Sequence, residues 1–130
     1  KEFMGEKTQK QVVGKLGEDL ALKFLGQKGY KVVARNFRQK FGELDLVFKD
    51  KEEWVFVEVK TRKKIENNAF GYPEQAVNRR KIQKISNTAQ KFLEINSCSL
   101  DRAKWRIDVI AIYLDWRTRQ AEIKHIKNVI

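Results

Sequence analysis

The chain has 130 residues, the size of one domain able to bury a core without disulfides or a structural metal. Hydrophobic residues make up 42% of it and no apolar run approaches the ~20 residues of a membrane span, which excludes a disordered chain and a helical membrane protein. The net charge of +11, from 28 basic and 17 acidic residues, sets up a field that gathers polyanions, so nucleic acid is the first candidate partner.

An anionic membrane surface is less favoured, because the basic residues are spread over several segments and do not form one amphipathic helix. The only methionine is Met4, so Lys1, Glu2 and Phe3 read as residues ahead of the natural start, and one domain is expected over 4–130. The residues after Met4 are polar and charged, unlike a secretory leader, and a cytoplasmic location is the expectation. A single cysteine, Cys98, and a single histidine, His125, cannot assemble a zinc site, which needs several Cys or His ligands; both read as structural or surface residues.

In chain order, Val13, Leu16, Leu20, Ala21 and Phe24 recur at helical spacing over 9–27, with Gly29 as the stop. Tyr30 to Phe37 reads as a strand, and Phe41 to Lys49 and Trp54 to Arg62 alternate as half-buried strands do. A loop runs from Lys63 to Tyr72, and Pro73 is expected to open a second helix running to about Asn96, with Ile82, Ile85, Ala89 and Phe92 on one face. Lys104 to Leu114 and Gln120 to Ile126 read as two more strands, a hairpin turning near Trp116 to Arg119. The order αβββαββ implies an α/β fold with a central sheet flanked by helices.

If Lys51 and Glu52 form a two-residue turn, the antiparallel partners across it place Asp45 opposite Glu58 and Glu43 opposite Lys60. Leu44, Leu46 and Phe48 then share the other face with Val55, Val57 and Val59, as core. Alternation keeps Asp45, Glu58 and Lys60 on one face in any register that buries the apolar side. Two carboxylates opposed at ~5 Å repel, so a sheet carrying them calls for a cation between them, and magnesium takes such hard oxygen ligands. A lysine two residues beyond Glu58 is placed to neutralise charge on a phosphate. Cross-strand salt bridges on a solvated surface account for the same spacing about equally well.

Gly42-Glu43-Leu44-Asp45-Leu46-Val47 and then Phe56-Val57-Glu58-Val59-Lys60-Thr61-Arg62 resemble the motif pair of the PD-(D/E)XK nuclease superfamily, whose members include restriction endonucleases and Holliday-junction resolvases. Leu44 replaces the proline of that motif. Gly14-Lys15-Leu16-Gly17-Glu18, Gly29-Tyr30, Arg35-Asn36, Phe70-Gly71-Tyr72-Pro73 and Arg106-Ile107-Asp108-Val109 are similar to the YraN family of small bacterial proteins regarded as predicted endonucleases. The resemblance covers nearly the whole chain and implies a restriction-endonuclease-like core with a mixed central sheet. It also implies that Asp45, Glu58, the carbonyl of Val59 and Glu18 hold Mg²⁺ or Mn²⁺, and that Asp45, Glu58 and Lys60 form the catalytic core.

Arg62, Lys63 and Lys64 run on from the catalytic strand and are expected to grip phosphates. Arg35 and the helix-two run Arg79, Arg80, Lys81 and Lys84 are further candidates, with a solvated helix face as the equal alternative for that run. Asp108 is expected to pair with Arg106 or Arg35 and stays outside the metal set, while Phe70 and Tyr72 either stack on a base or pack their loop. Trp54 and Phe56 share the face of Glu58, which helix one is expected to cover, bringing Glu18 toward the carboxylates. The function expected is metal-dependent hydrolysis of DNA, including branched or single-stranded forms, ahead of RNA. The alternative is a nucleic-acid-binding module that does not cut, and a scaffold role ranks third. A homodimer is open.

Overall fold

Thr8 starts the first helix because its hydroxyl accepts the Gln11 N–H at 3.1 Å while the Gln11 side chain returns the bond to the Thr8 N–H at 2.9 Å. The structure, a computed structural model, describes residues 8–64, 78–99 and 101–130. Helix α1 runs Gln9–Gln27 and buries Val13, Gly17, Ala21 and Leu25, one residue per turn. It ends where Gly29 takes φ 94°: the Gly29 N–H bonds Gly26 O and the Tyr30 N–H bonds Leu25 O, satisfying two carbonyls the helix leaves open.

Strands β1 (Lys31–Gln39), β2 (Gly42–Asp50) and β3 (Glu53–Lys63) form an antiparallel meander, as short turns between strands require. Helix α2 (Arg79–Ile95) comes next, then β4 (Trp105–Asp115) lies parallel to β3 and β5 (Gln120–Ile126) antiparallel to β4. The five strands make one mixed sheet in the order β1-β2-β3-β4-β5. Helix α1 covers one face over Leu46, Phe48, Val55, Val57, Ile110 and Ile112, and α2 covers the other over Val47, Phe56 and Ile107. Because both faces are covered, β4 is buried from Arg106 to Leu114. No helix among the described residues is long and apolar enough to cross a membrane.

Three expectations are corrected. The second helix does not start at Pro73, which lies outside the described residues with Phe70, Gly71 and Tyr72: Asn78 has extended backbone and its side chain accepts the Lys81 N–H at 2.9 Å, so the helix opens at Arg79. Leu44 does not share a face with Leu46 and Phe48 but packs with Val47 and Phe56 under α2. The alternation breaks at Asp45, alongside Asn36, whose φ of 52° interrupts the extended backbone of β1. Finally, Trp54 and Phe56 lie under α2, so α1 covers the face opposite to the one expected.

Candidate active site

The β2–β3 ladder keeps the expected register from Asp50↔Glu53 through Leu46↔Val57 and stops there. Past that rung the two strands part, and the Asp45 side chain fills the place of the missing one: the Val59 N–H donates to Asp45 Oδ2 at 2.8 Å. Asp45 and Glu58 are therefore neighbours, though not as a ladder pair. In extended backbone a residue's N–H and C=O project to the same side, so the Val59 carbonyl also faces the opening toward β2. Glu43 does not meet Lys60; it pairs with Arg38 of β1, at 3.8 Å.

Glu58 is 6% exposed, an uncommon place for a glutamate, and cations hold it there. Lys60 Nζ lies 3.3 Å and Lys81 Nζ 3.6 Å from its Oε2, one from the same strand and the other from the first turn of α2. From the opposite face, Gly17 brings α1 down onto β3: a Cβ built there falls 1.8 Å from Thr61 Oγ1. That close approach fixes the height of Glu18, the next residue, whose charge is felt weakly at Asp45. Helix one thus carries Glu18 on the face that Trp54 and Phe56 do not occupy.

Burial, the Glu58 carboxylate beside it and, more weakly, Glu18 push the Asp45 carboxyl up to about 7, although the Val59 N–H favours its charged form. A pair of carboxyls so placed binds either a proton or a cation. Among the described residues no three His, Cys, Asp or Glu side chains form a ready cation cage. Magnesium asks for less, since it is held by one or two carboxylates and keeps several waters, and two carboxyls with a main-chain carbonyl suit it. Glu18 is turned to Arg35, whose Nη2 lies 3.6 Å from it and 3.0 Å from Asp19 Oδ1.

The other expected cations are spread over several elements. Lys81 comes to the carboxylates and Lys84 lies one turn on, on exposed helix surface with Arg79 and Arg80. Arg62 Nη1 bonds the Thr61 carbonyl, Lys63 sits 5.7 Å over the Trp116 ring, and Lys64 Nζ is 3.9 Å from Asp115. Arg35 is engaged by the acidic residues of α1, with an open cleft of about 490 Å³ beside it lined by Gln11, Lys15, Asn36 and Arg38.

A second polar cluster centres on Asp108 of β4, which lies beside Val57 of β3. Asp108 is fully buried and accepts from His125 Nε2 at 2.7 Å, Arg106 Nε at 3.0 Å and the Asn128 N–H at 2.9 Å. Burial works against its charge, but these donors outweigh it and hold the carboxyl below the usual range. Arg106 continues to Tyr30 Oη, at 2.7 Å, and to Glu53. Arg106, not Arg35, is thus the partner of Asp108. The role of His125 was not legible, because a lone histidine some 17 residues from its acceptor has no local pattern. Among the described residues every buried side-chain polar atom has a partner, so the cluster is complete as it stands.

Known proteins share this chain's sequence over most of its length. The model of the family described as "Uncharacterised protein family UPF0102" matches residues 17–112. The chain belongs to the UPF0102 family. The match spans Glu18, Asp45, Glu58, Lys60 and Asp108. A UPF0102 protein of Caldanaerobacter subterraneus is 40% identical over 124 residues, covering 95% of this chain and 98% of the relative. Another, from Syntrophotalea carbinolica, is 41% identical over 117 residues, covering 90% and 89%. UPF0102 is the YraN family of the sequence resemblance.

Proposed function

We propose that this UPF0102 protein is a metal-dependent endonuclease of the PD-(D/E)XK type, with a restriction-endonuclease-like core, hydrolysing phosphodiester bonds of DNA. The observation that carries the reading is the meeting of half-buried Asp45 with buried Glu58 at the parting of β2 and β3, with Lys60 3.3 Å from Glu58. A sheet built for stability alone gains nothing from setting a second carboxylate beside a buried one, whereas a site for a hard cation needs it. Asp45, Glu58 and the Val59 carbonyl would hold Mg²⁺ or Mn²⁺, with Glu18 reached from the opposite face. Such an ion, when bound, polarises a phosphoryl oxygen and acidifies its water.

The chain's own residues do the rest. Lys60 offers its ammonium to charge building on the phosphate, and Lys81, already on Glu58, offers a second. Burial and Glu58 push the Asp45 carboxyl up to about 7, so below that pH a proton competes with a cation for this pair. The net charge of +11 draws the polyanion in.

The test is cleavage of labelled duplex, single strand, flap, four-way junction and RNA with Mg²⁺ or Mn²⁺, comparing wild type with Asp45→Ala and Lys60→Ala. Metal-dependent cutting that both substitutions abolish supports the reading and identifies the substrate. Binding without cutting above the variants replaces it with that of a nucleic-acid-binding module.

A further inference from the structure

The two hairpin turns at the open end of the sheet each expose an aromatic ring. Because β2 is antiparallel to β3 and β4 parallel to it, the β1–β2 turn and the β4–β5 turn lie at the same end as Glu58 to Lys63. They stand on opposite sides of β3. Phe41, at the first turn, is 47% exposed and Trp116, at the second, 49%. Neither ring is needed to make its turn. Asp115 Oδ1 already accepts the N–H groups of Arg117 and Thr118, closing the second turn without help from the indole. In the first, Gly42 fits closely against Thr88 of α2 and seats the strand, leaving Phe41 outward.

Cations flank both rings. Phe41 lines an open cleft of about 310 Å³ with Lys40, Lys81 and Lys84, and Lys81 reaches from that cleft to Glu58. Lys63 lies over Trp116, and Arg117 and Arg119 come after it in the turn. Across the sheet the two hairpins are three inter-strand spacings apart, ~14 Å, to which the parting of β2 from β3 adds, so a strand joining them passes over the open end of the sheet, from Phe41 on the α2 side to Trp116 and Lys63 on the α1 side.

We propose that Phe41 and Trp116 are two base-stacking platforms that hold an unpaired nucleic-acid strand across the site, with its phosphates on Lys81, Lys84 and Lys63. A duplex keeps its bases stacked inside and presents no ring face to an exposed aromatic, while a single strand presents one at every nucleotide. The proposal rests on the nuclease reading for what happens between the platforms, but strand binding is measured without cutting.

The experiment is fluorescence anisotropy of labelled dT12 and of a blunt 12-bp duplex, in chelator, for wild type, Phe41→Ala, Trp116→Ala and Phe41→Trp. The result expected is an approximately tenfold loss of dT12 affinity in each alanine variant, with duplex affinity within about twofold of wild type and dT12 binding kept by Phe41→Trp. Unchanged dT12 affinity overturns the proposal, as does an equal loss on the duplex. It also falls if the alanine variants leave dT12 binding intact and instead dissociate a dimer in sedimentation, since the rings would then serve self-association. Loss of dT12 binding in a protein that never cuts leaves the platforms standing and removes only the nuclease.

Discussion

Asp45 takes the place of a ladder rung for Val59, accepting its N–H at 2.8 Å where β2 has left β3. The same carboxyl stands beside Glu58, and its two duties conflict: the hydrogen bond favours charge, and burial with Glu58 opposes it.

That conflict makes stability depend on pH. The Asp45 carboxyl lies at about 7 in the fold against 3.8 in the unfolded chain, so its contribution is fully present below 3.8 and is lost as pH rises through 7. Asp45→Asn keeps an oxygen for the Val59 N–H and removes the charge. In chelator it is expected to stabilise the protein by about 2 kcal/mol at pH 8 and by little at pH 4, a gain of several degrees in Tm at the higher pH. Thermal unfolding at the two values decides it; equal Tm for the two proteins at pH 8 would show that the carboxyl is not strained there. Added Mg²⁺ should raise the Tm of wild type and leave Asp45→Asn unmoved.

Lys81 joins α2 to Glu58, and in the functional reading it also meets a phosphate. Lys81→Ala is then expected to lower the slope of log affinity against log salt by about 1 on DNA, with a uniform loss across sequences. A salt slope equal to that of wild type would confine Lys81 to the structural pair.

Much of this was legible beforehand, for identifiable reasons. Helix α1 was visible from Gln9 to Gln27 because its apolar spacing and its stop signal at Gly29 agree, though its Thr8 cap was not read, and the two-residue turn at Lys51–Glu52 fixed the β2–β3 register. The break at Asp45 was not, because alternation was extended through a position where the strands part and Asn36 adopts a positive φ. Pro73 misplaced the start of α2, since a proline marks a permitted first turn while Asn78 supplies the actual cap. Spacing and resemblance together singled out Asp45, Glu58 and Lys60, and resemblance Glu18; Lys81 as a partner of Glu58 was hidden because α2 reaches it only in three dimensions.

Gly17 shows how tightly the helix is seated. Gly17→Ala improves helix propensity by about 1 kcal/mol, yet its Cβ meets the Thr61 hydroxyl at 1.8 Å and the Thr61 Cβ at 2.9 Å. The expected net effect is a loss of about 1–2 kcal/mol and a weaker site, because Glu18 moves with the helix. Thr61→Ala in the same protein should recover most of the stability. Chemical denaturation of the single and double variants measures both, and a stabilised Gly17→Ala protein would mean that the helix can shift freely.

The Asp108 cluster predicts the opposite pattern of damage. Asp108→Asn removes the charge shared by Arg106 and His125 in a fully buried position and should cost about 3 kcal/mol or more. Its side chain is committed to Arg106 and His125 and not to Asp45 or Glu58, so the substitution should leave cleavage per folded molecule near wild type at low temperature. Parallel measurements of Tm and of turnover separate the two, and a selective loss of turnover would assign the cluster a part in the chemistry.

The parallel β3–β4 pair joins residues about 50 positions apart, whereas β1, β2 and β3 are joined by short turns. Loop closure of that length is the slow event in reaching the fold, and the meander has time to form first. Asp45 and Glu58 both lie in the meander, so they meet while water still screens them and are sealed in only when the later elements dock. Their mutual repulsion therefore falls on the last stage of folding, and alkaline conditions should slow that docking while leaving the early hairpins untouched.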